Sequence, residues 1–217
     1  MRRATPIGSL LVLAMLPASA EIIDRVAVTM GRTVITQSAV EEQVRVTAFL
    51  NQEPLDLGPL ARRRAADRMI EQTLLRQEME FSGYVLPGHE QAEPLLAEIR
   101  KERFPDEDSF LRTLASYGIT ESILRRHLIL QLGTLRFIEL RFRPGVAVGD
   151  GEIEIYYREQ FVPGWERRNN SPPPALEDAA EEVESILVAE RTDQALNQWL
   201  NQSRRQTRVR FVEEAIQ

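Results

Sequence analysis

Residues 120–143, TESILRRHLILQLGTLRFIELRFR, constrain the fold of this chain more than any other stretch. As a helix they would be about 36 Å long. Leu124, Leu128, Leu135, Ile138 and Phe142 recur at helical spacing and make one apolar face. Ile123, Leu130 and Phe137 follow one another at seven-residue steps and make a second. A single partner cannot cover both. Arg125, Arg126, Arg136 and Arg141 interrupt the run, which argues against lipid as the surroundings. The stretch therefore reads as a central helix that other helices wrap, with a face that something else can touch.

The opening residues have a different character. Arg2 and Arg3 form a short positive region, Ile7 to Leu16 an apolar run, and Ala18-Ser19-Ala20 a small-residue cleavage site. Residues 1–20 are therefore expected to be a secretory signal cleaved after Ala20, leaving an exported chain without membrane insertion. The apolar run is too short to span a bilayer. The chain has no cysteine, which removes disulfides, thiolate metal sites and a lipid-modified N-terminal cysteine. Loss of Arg2 and Arg3 takes the formal net charge from -6 to -8. Export and acidity together argue against nucleic acid as a partner. The run Arg62-Arg63-Arg64 lies among acidic residues and reads as a solvated helix face.

The rest of the chain alternates helical patterns with breakers. Residues 21–36 form an expected hairpin, with Ile22, Val26, Val28 and Met30 at even spacing and Gly31-Arg32 as a type II′ turn. A lone hairpin is marginal, and residues 207–212, with Val209 and Phe211 on one side, are expected to supply the third strand. A helix capped by Ser38 runs to about residue 52 and buries Val40, Val44 and Ala48. A second covers residues 60–81, with Ala66, Ile70, Leu74 and Phe81 inward and Gly83 as a left-handed stop. A third begins at Pro87 or at Pro94 and reaches Arg103. A fourth, residues 106–117, turns Phe110, Leu111 and Leu114 inward and stops at Gly118. After the central helix come a helix at 150–161, a proline-rich linker at 162–175 and a long acidic helix at 176–204. The expected fold class is mainly α (α+β), a helical module with a small antiparallel sheet.

No nucleophile stands beside a base in a recognisable motif, and there is no phosphate-binding glycine loop and no dinucleotide fingerprint. His89 and His127 are the only histidines; with no carboxylate at ligand spacing they read as structural or surface residues, and no metal or cofactor is expected. The excess of helix-borne apolar residues favours a binding protein.

The order of segments resembles the chaperone module of the SurA family of periplasmic chaperones and their relatives with parvulin-type prolyl isomerase domains. The likeness is carried by IDRVAVTMGRTVITQSAV (23–40), RMIEQTLLRQE (68–78), FLRTLASYGI (110–119), the central helix, DGEIEIYY (150–157) and the closing segment with Trp199 and RVRFV. The resemblance implies an N-terminal chaperone domain over residues 21–161, completed by residues 176–217. It also implies a missing isomerase, because residues 162–175 stand where the relatives carry a parvulin domain, and a domain needs about 50 residues or more. The implied activity is non-catalytic binding of unfolded or extended polypeptide clients, outer-membrane protein precursors among them. Candidate client-binding residues are Phe104, Phe110, Tyr117, Phe137, Tyr156 and Trp165. The alternatives are an envelope adaptor that holds one folded partner, or a member of the isomerase family by descent only.

Overall fold

Val26, Val28 and Met30 can share one face of an extended strand, and Gly31 lets the chain reverse. The computed structural model, which describes residues 24–216, forms this hairpin as β1 (Val26–Met30) and β2 (Thr33–Thr36). Gly31 has φ +56° and Arg32 stays out of the positive region, as a type II′ turn requires. β3 (Val209–Phe211) pairs antiparallel with the other side of β1, so the strand order is β2-β1-β3. The even alternation needs correction. Register slips between Val26 and Val28, making Ala27 an extra residue on β1, and Ala27 and Val28 are both buried. Ile22 and the expected signal, residues 1–20, lie outside the described residues.

The described residues are 73% helical, as expected for a mainly α fold with a small sheet. α1 (Gln37–Asn51) is capped by Thr36, whose side chain accepts from the Ala39 N–H. Ser38 is not the cap; it donates to Asp24 instead. α2 (Pro59–Phe81) buries Ala66, Ile70 and Leu74, but Phe81 is 89% exposed. The chain turns back at Gly83, φ +70°, and Tyr84 rather than Phe81 packs edge-on to Phe137, 5.2 Å between centroids. α3 (Glu93–Arg103) carries Pro94 in its first turn, so Pro87 stays in the extended link before it. In α4 (Glu107–Ser116) Phe110 and Leu114 are buried and Leu111 is not. That helix has only ten residues, and its buried stripe is one i, i+4 pair wide.

α5 (Glu121–Phe142), capped by Thr120, runs through the body. Leu124 and Leu128 enter a core with Val46, Phe49, Leu96 and Phe110 from α1, α3 and α4. Phe137 and Phe142 enter another with Leu75 and Met79 of α2 and with Trp199. Leu135, expected on the buried face, is 56% exposed.

The proline-rich linker also needs correction. α6 (Asp150–Tyr156) passes through a π-helical stretch, Tyr157–Phe161, straight into α7 (Val162–Arg168). Pro163 lacks an N–H and crowds the preceding turn, a mismatch that a widened turn accommodates. Only residues 169–175 form the connection. α8 (Leu176–Gln206) then returns along the whole body. Its first half packs on α6 and α7 through Ala179 and Val183, and its second half reaches the sheet-bearing core through Trp199 and Leu200.

The arginine run on α2 is more engaged than a solvated face. Arg62 pairs with Glu41 at 3.0 Å, and Arg63 pairs with Asp67 and Glu213 while lying 3.6 Å over the Phe211 ring.

Candidate functional site

The six aromatic candidates do not form one groove. Phe104, Phe110 and Tyr117 gather around Phe49. Phe110 is fully buried, and the Tyr117 hydroxyl donates to the Glu53 carbonyl at 2.8 Å. Phe137 is buried in the second cluster, against Tyr84. Tyr156 and Trp165 belong to the α6–α8 cluster. Burial, and then the nearby Glu190 carboxylate, push the Tyr156 phenol above its ordinary value. Trp165 lies on α7 and not in a linker: it stacks on Phe161, itself stacked on Tyr157, and donates to the Ser171 carbonyl at 3.0 Å. Phe110 and Phe137 therefore serve packing, and the other four are half-buried members of separate clusters.

The described residues instead converge elsewhere. A cleft of about 580 Å³ opens between β2, α1, α2, the link after α2 and α5. Its apolar wall is Val34, Ile35, Ala39, Met69, Leu86, Pro87, Ile129 and Leu130. α5 supplies the last two, and Leu130 belongs to the second apolar face read from its sequence. Leu86 and Pro87 can lie close to α5 because residue 133 is glycine. A Cβ there would stand 2.5 Å from Leu86 Cδ2 and 2.9 Å from Pro87 Cδ.

The polar lining is basic. Arg76, Arg126, His89 and His127 line the cleft, and no carboxylate does. Sequence reading missed this convergence because the four residues lie on three segments. Arg126 is held by both oxygens of Glu42, at 2.7 and 2.9 Å, and His127 Nε2 lies 3.8 Å from the same carboxylate. Nδ1 of His127 is within 3.0 Å of the Ile123 carbonyl. Arg76 is exposed and has no carboxylate partner among the described residues. The floor's polar groups are satisfied: Thr73 Oγ1 donates to the Met69 carbonyl at 2.7 Å, and Gln43 donates to Thr47 Oγ1 at 3.2 Å.

Among the described residues β2 is an edge strand, and it borders this cleft. Across the two-residue turn Thr33 faces Met30 as a hydrogen-bonded pair, so the next pair, Val34 and Thr29, is of the non-bonded kind. Consistently, the Ala27 carbonyl and the Gly31 N–H point the other way, to the Val212 N–H and the Arg208 carbonyl that flank β3. Val34 therefore directs its N–H and C=O to the free edge, and it is 55% exposed. An exposed apolar residue beside an unpaired strand edge and an apolar cleft can accept an added strand.

Two smaller depressions also lie on α5. One, of about 280 Å³, includes Leu95, Ile99, Leu128 and Leu132; the other, of about 400 Å³, includes Ile138 and Ala189; Leu135 lines both. Among the described residues no group of three or more His, Cys, Asp or Glu could hold a metal ion, and no helix is long and apolar enough to cross a membrane. No protein-family model matches this chain, and no curated protein matches it significantly.

Proposed function

We propose that this protein is a SurA-like periplasmic chaperone module that binds unfolded or extended polypeptides, outer-membrane protein precursors among them, without catalysing a reaction. One observation carries the reading: the free edge of β2 runs beside an apolar cleft of about 580 Å³. Main-chain pairing along an edge tolerates any sequence, and an apolar wall rewards any hydrophobic side chain. Together they suit a protein that must accept many clients and let them go. Micromolar binding, about -8 kcal/mol, is enough to compete with aggregation.

The order of segments supports the family reading. Between α6 and α8 lie a π-helical turn, one helix of seven residues and a short connection, in place of a domain. The expected signal implies that the chain works after export, in the periplasm.

The test is to dilute a denatured outer-membrane β-barrel protein into buffer with the purified chain and follow light scattering against an inert protein of equal size. Suppression at near-stoichiometric ratios is expected. A folded chain that leaves scattering unchanged would sink the reading and turn attention to a single folded partner in the envelope.

A further inference from the structure

We infer that the cleft recognises the C-terminal end of an extended apolar segment, with the terminal carboxylate held by Arg76. The inference deepens the peptide-binding reading and rests on it. Its first ground is charge. Among the described residues, the lining of one apolar cleft in a chain of formal net charge -6 holds two arginines and both histidines and no acidic residue, the Glu42 carboxylate behind it pairing Arg126 and approaching His127. A neutral apolar segment would gain nothing from that arrangement, whereas a carboxylate would.

The second ground is which cation is available. Arg126 already spends its guanidinium on the two oxygens of Glu42, and His127 shares that carboxylate. Arg76 has no such partner among the described residues, and an arginine can grip both oxygens of one carboxylate.

The third ground is how the cleft is bounded. Gln77 donates to Thr33 at 3.2 Å, tying α2 to the start of β2. Neither residue lines the cleft, yet each directly neighbours one that does, Arg76 and Val34. At the other end of the strand Thr36 caps α1. The pairing edge is therefore short, and the Gln77–Thr33 tie stands at its Thr33 end, one residue along α2 from Arg76. A chain that stops there needs no exit, and its last carboxylate meets Arg76. A segment that continued would have to pass the tie.

The probe is an N-terminally labelled pentapeptide, Thr-Val-Thr-Val-Leu, prepared as the free acid and as the C-terminal amide, with anisotropy read against the full chain. The free acid is expected to bind about tenfold tighter than the amide, the scale of a charge-assisted contact. Arg76→Gln should reduce the free acid to the level of the amide and leave the amide unchanged. Val34→Pro removes the outward N–H while sparing the β1 ladder, and should weaken both peptides alike. Equal binding of acid and amide, or a preference that survives Arg76→Gln, would overturn the carboxylate assignment while leaving peptide binding in place. An amidated peptide with an internal glutamate that matches the free acid would overturn it too. If neither form binds and circular dichroism shows a folded chain, the peptide-binding reading itself fails.

Discussion

At the scale of single residues, the structure separates side chains that pack from those free to meet a partner. Phe110 is fully buried among Phe49, Phe104 and Leu114, so Phe110→Ala should cost about 3–5 kcal/mol in urea unfolding. The spacing of Phe110 and Phe137 identified them as apolar helix positions but could not separate burial from binding, since both select the same residue types. Phe81 shows the opposite error: helical phase placed it inward, yet the turn at Gly83 hands that space to Tyr84. Charge gives a second prediction at this scale. The Ser109 N–H, which donates to the carboxylate at 2.7 Å, chiefly holds the Asp106 carboxyl below its usual value, with the nearby Ser109 hydroxyl acting in the same direction. A lowered carboxyl contributes stability that is complete above the ordinary carboxylate range and is lost as pH falls through the folded value. Asp106→Asn keeps a capping oxygen without the charge. Its melting temperature should match the parent's more closely at low pH than at neutral pH, giving a shallower acid limb between about pH 5 and pH 2; an unchanged acid limb would show that this cap does not titrate with folding.

Among the elements, α5 decides where the cleft lies. Its apolar faces were legible in part: Leu124, Leu128 and Phe142 of the first are buried while Leu135 is exposed, and of the second only Leu130 lines the cleft, Ile123 and Phe137 packing into the same two cores as the first face. What the pattern could not supply was the opposite wall, because Val34, Leu86 and Pro87 reach α5 only through tertiary packing. Gly133 is the contact that sets this wall. Gly133→Ala would force Leu86 and Pro87 outward, so it should weaken pentapeptide binding with little change in helical content by circular dichroism. Unchanged affinity would mean that this wall does not contact the ligand. The α6 to α7 segment teaches a related lesson. Four prolines in fourteen residues read as a linker, but Pro163 is absorbed by a π turn, and Tyr157, Phe161 and Trp165 stack along the resulting helix. The Tyr157 hydroxyl and the Trp165 indole then fasten the connection at the Pro174 and Ser171 carbonyls. Trp165→Ala should accelerate proteolysis within residues 169–175 while leaving pentapeptide affinity unchanged. Loss of affinity with unchanged proteolysis would return Trp165 to the client-binding surface.

Across the whole molecule, the two ends of the described chain are interdependent. β3 covers β1, and Ala215 and Ile216 are buried in the same core as Val28, Met30 and Ile35. That closure was legible, because a lone hairpin needed a third strand and residues 207–212 alternated in the right way. α8 connects it to the α6–α8 cluster, so the cleft side and the aromatic side share one long helix. The cleft lies at the edge of the sheet that the chain ends close, and on the proposed reading the free edge of β2 is where a client would add. Ala39 lines the cleft and is half-buried, so Ala39→Trp should fill it while the sheet and the cores stay intact. Light scattering of a denatured β-barrel protein, with the parent chain and with Ala39→Trp compared at equal concentration, tests the account most directly. The account predicts that the parent suppresses scattering and that the filled variant, equally folded by circular dichroism, loses most of that suppression. Equal suppression by both would contradict it and place client binding on another surface of the molecule.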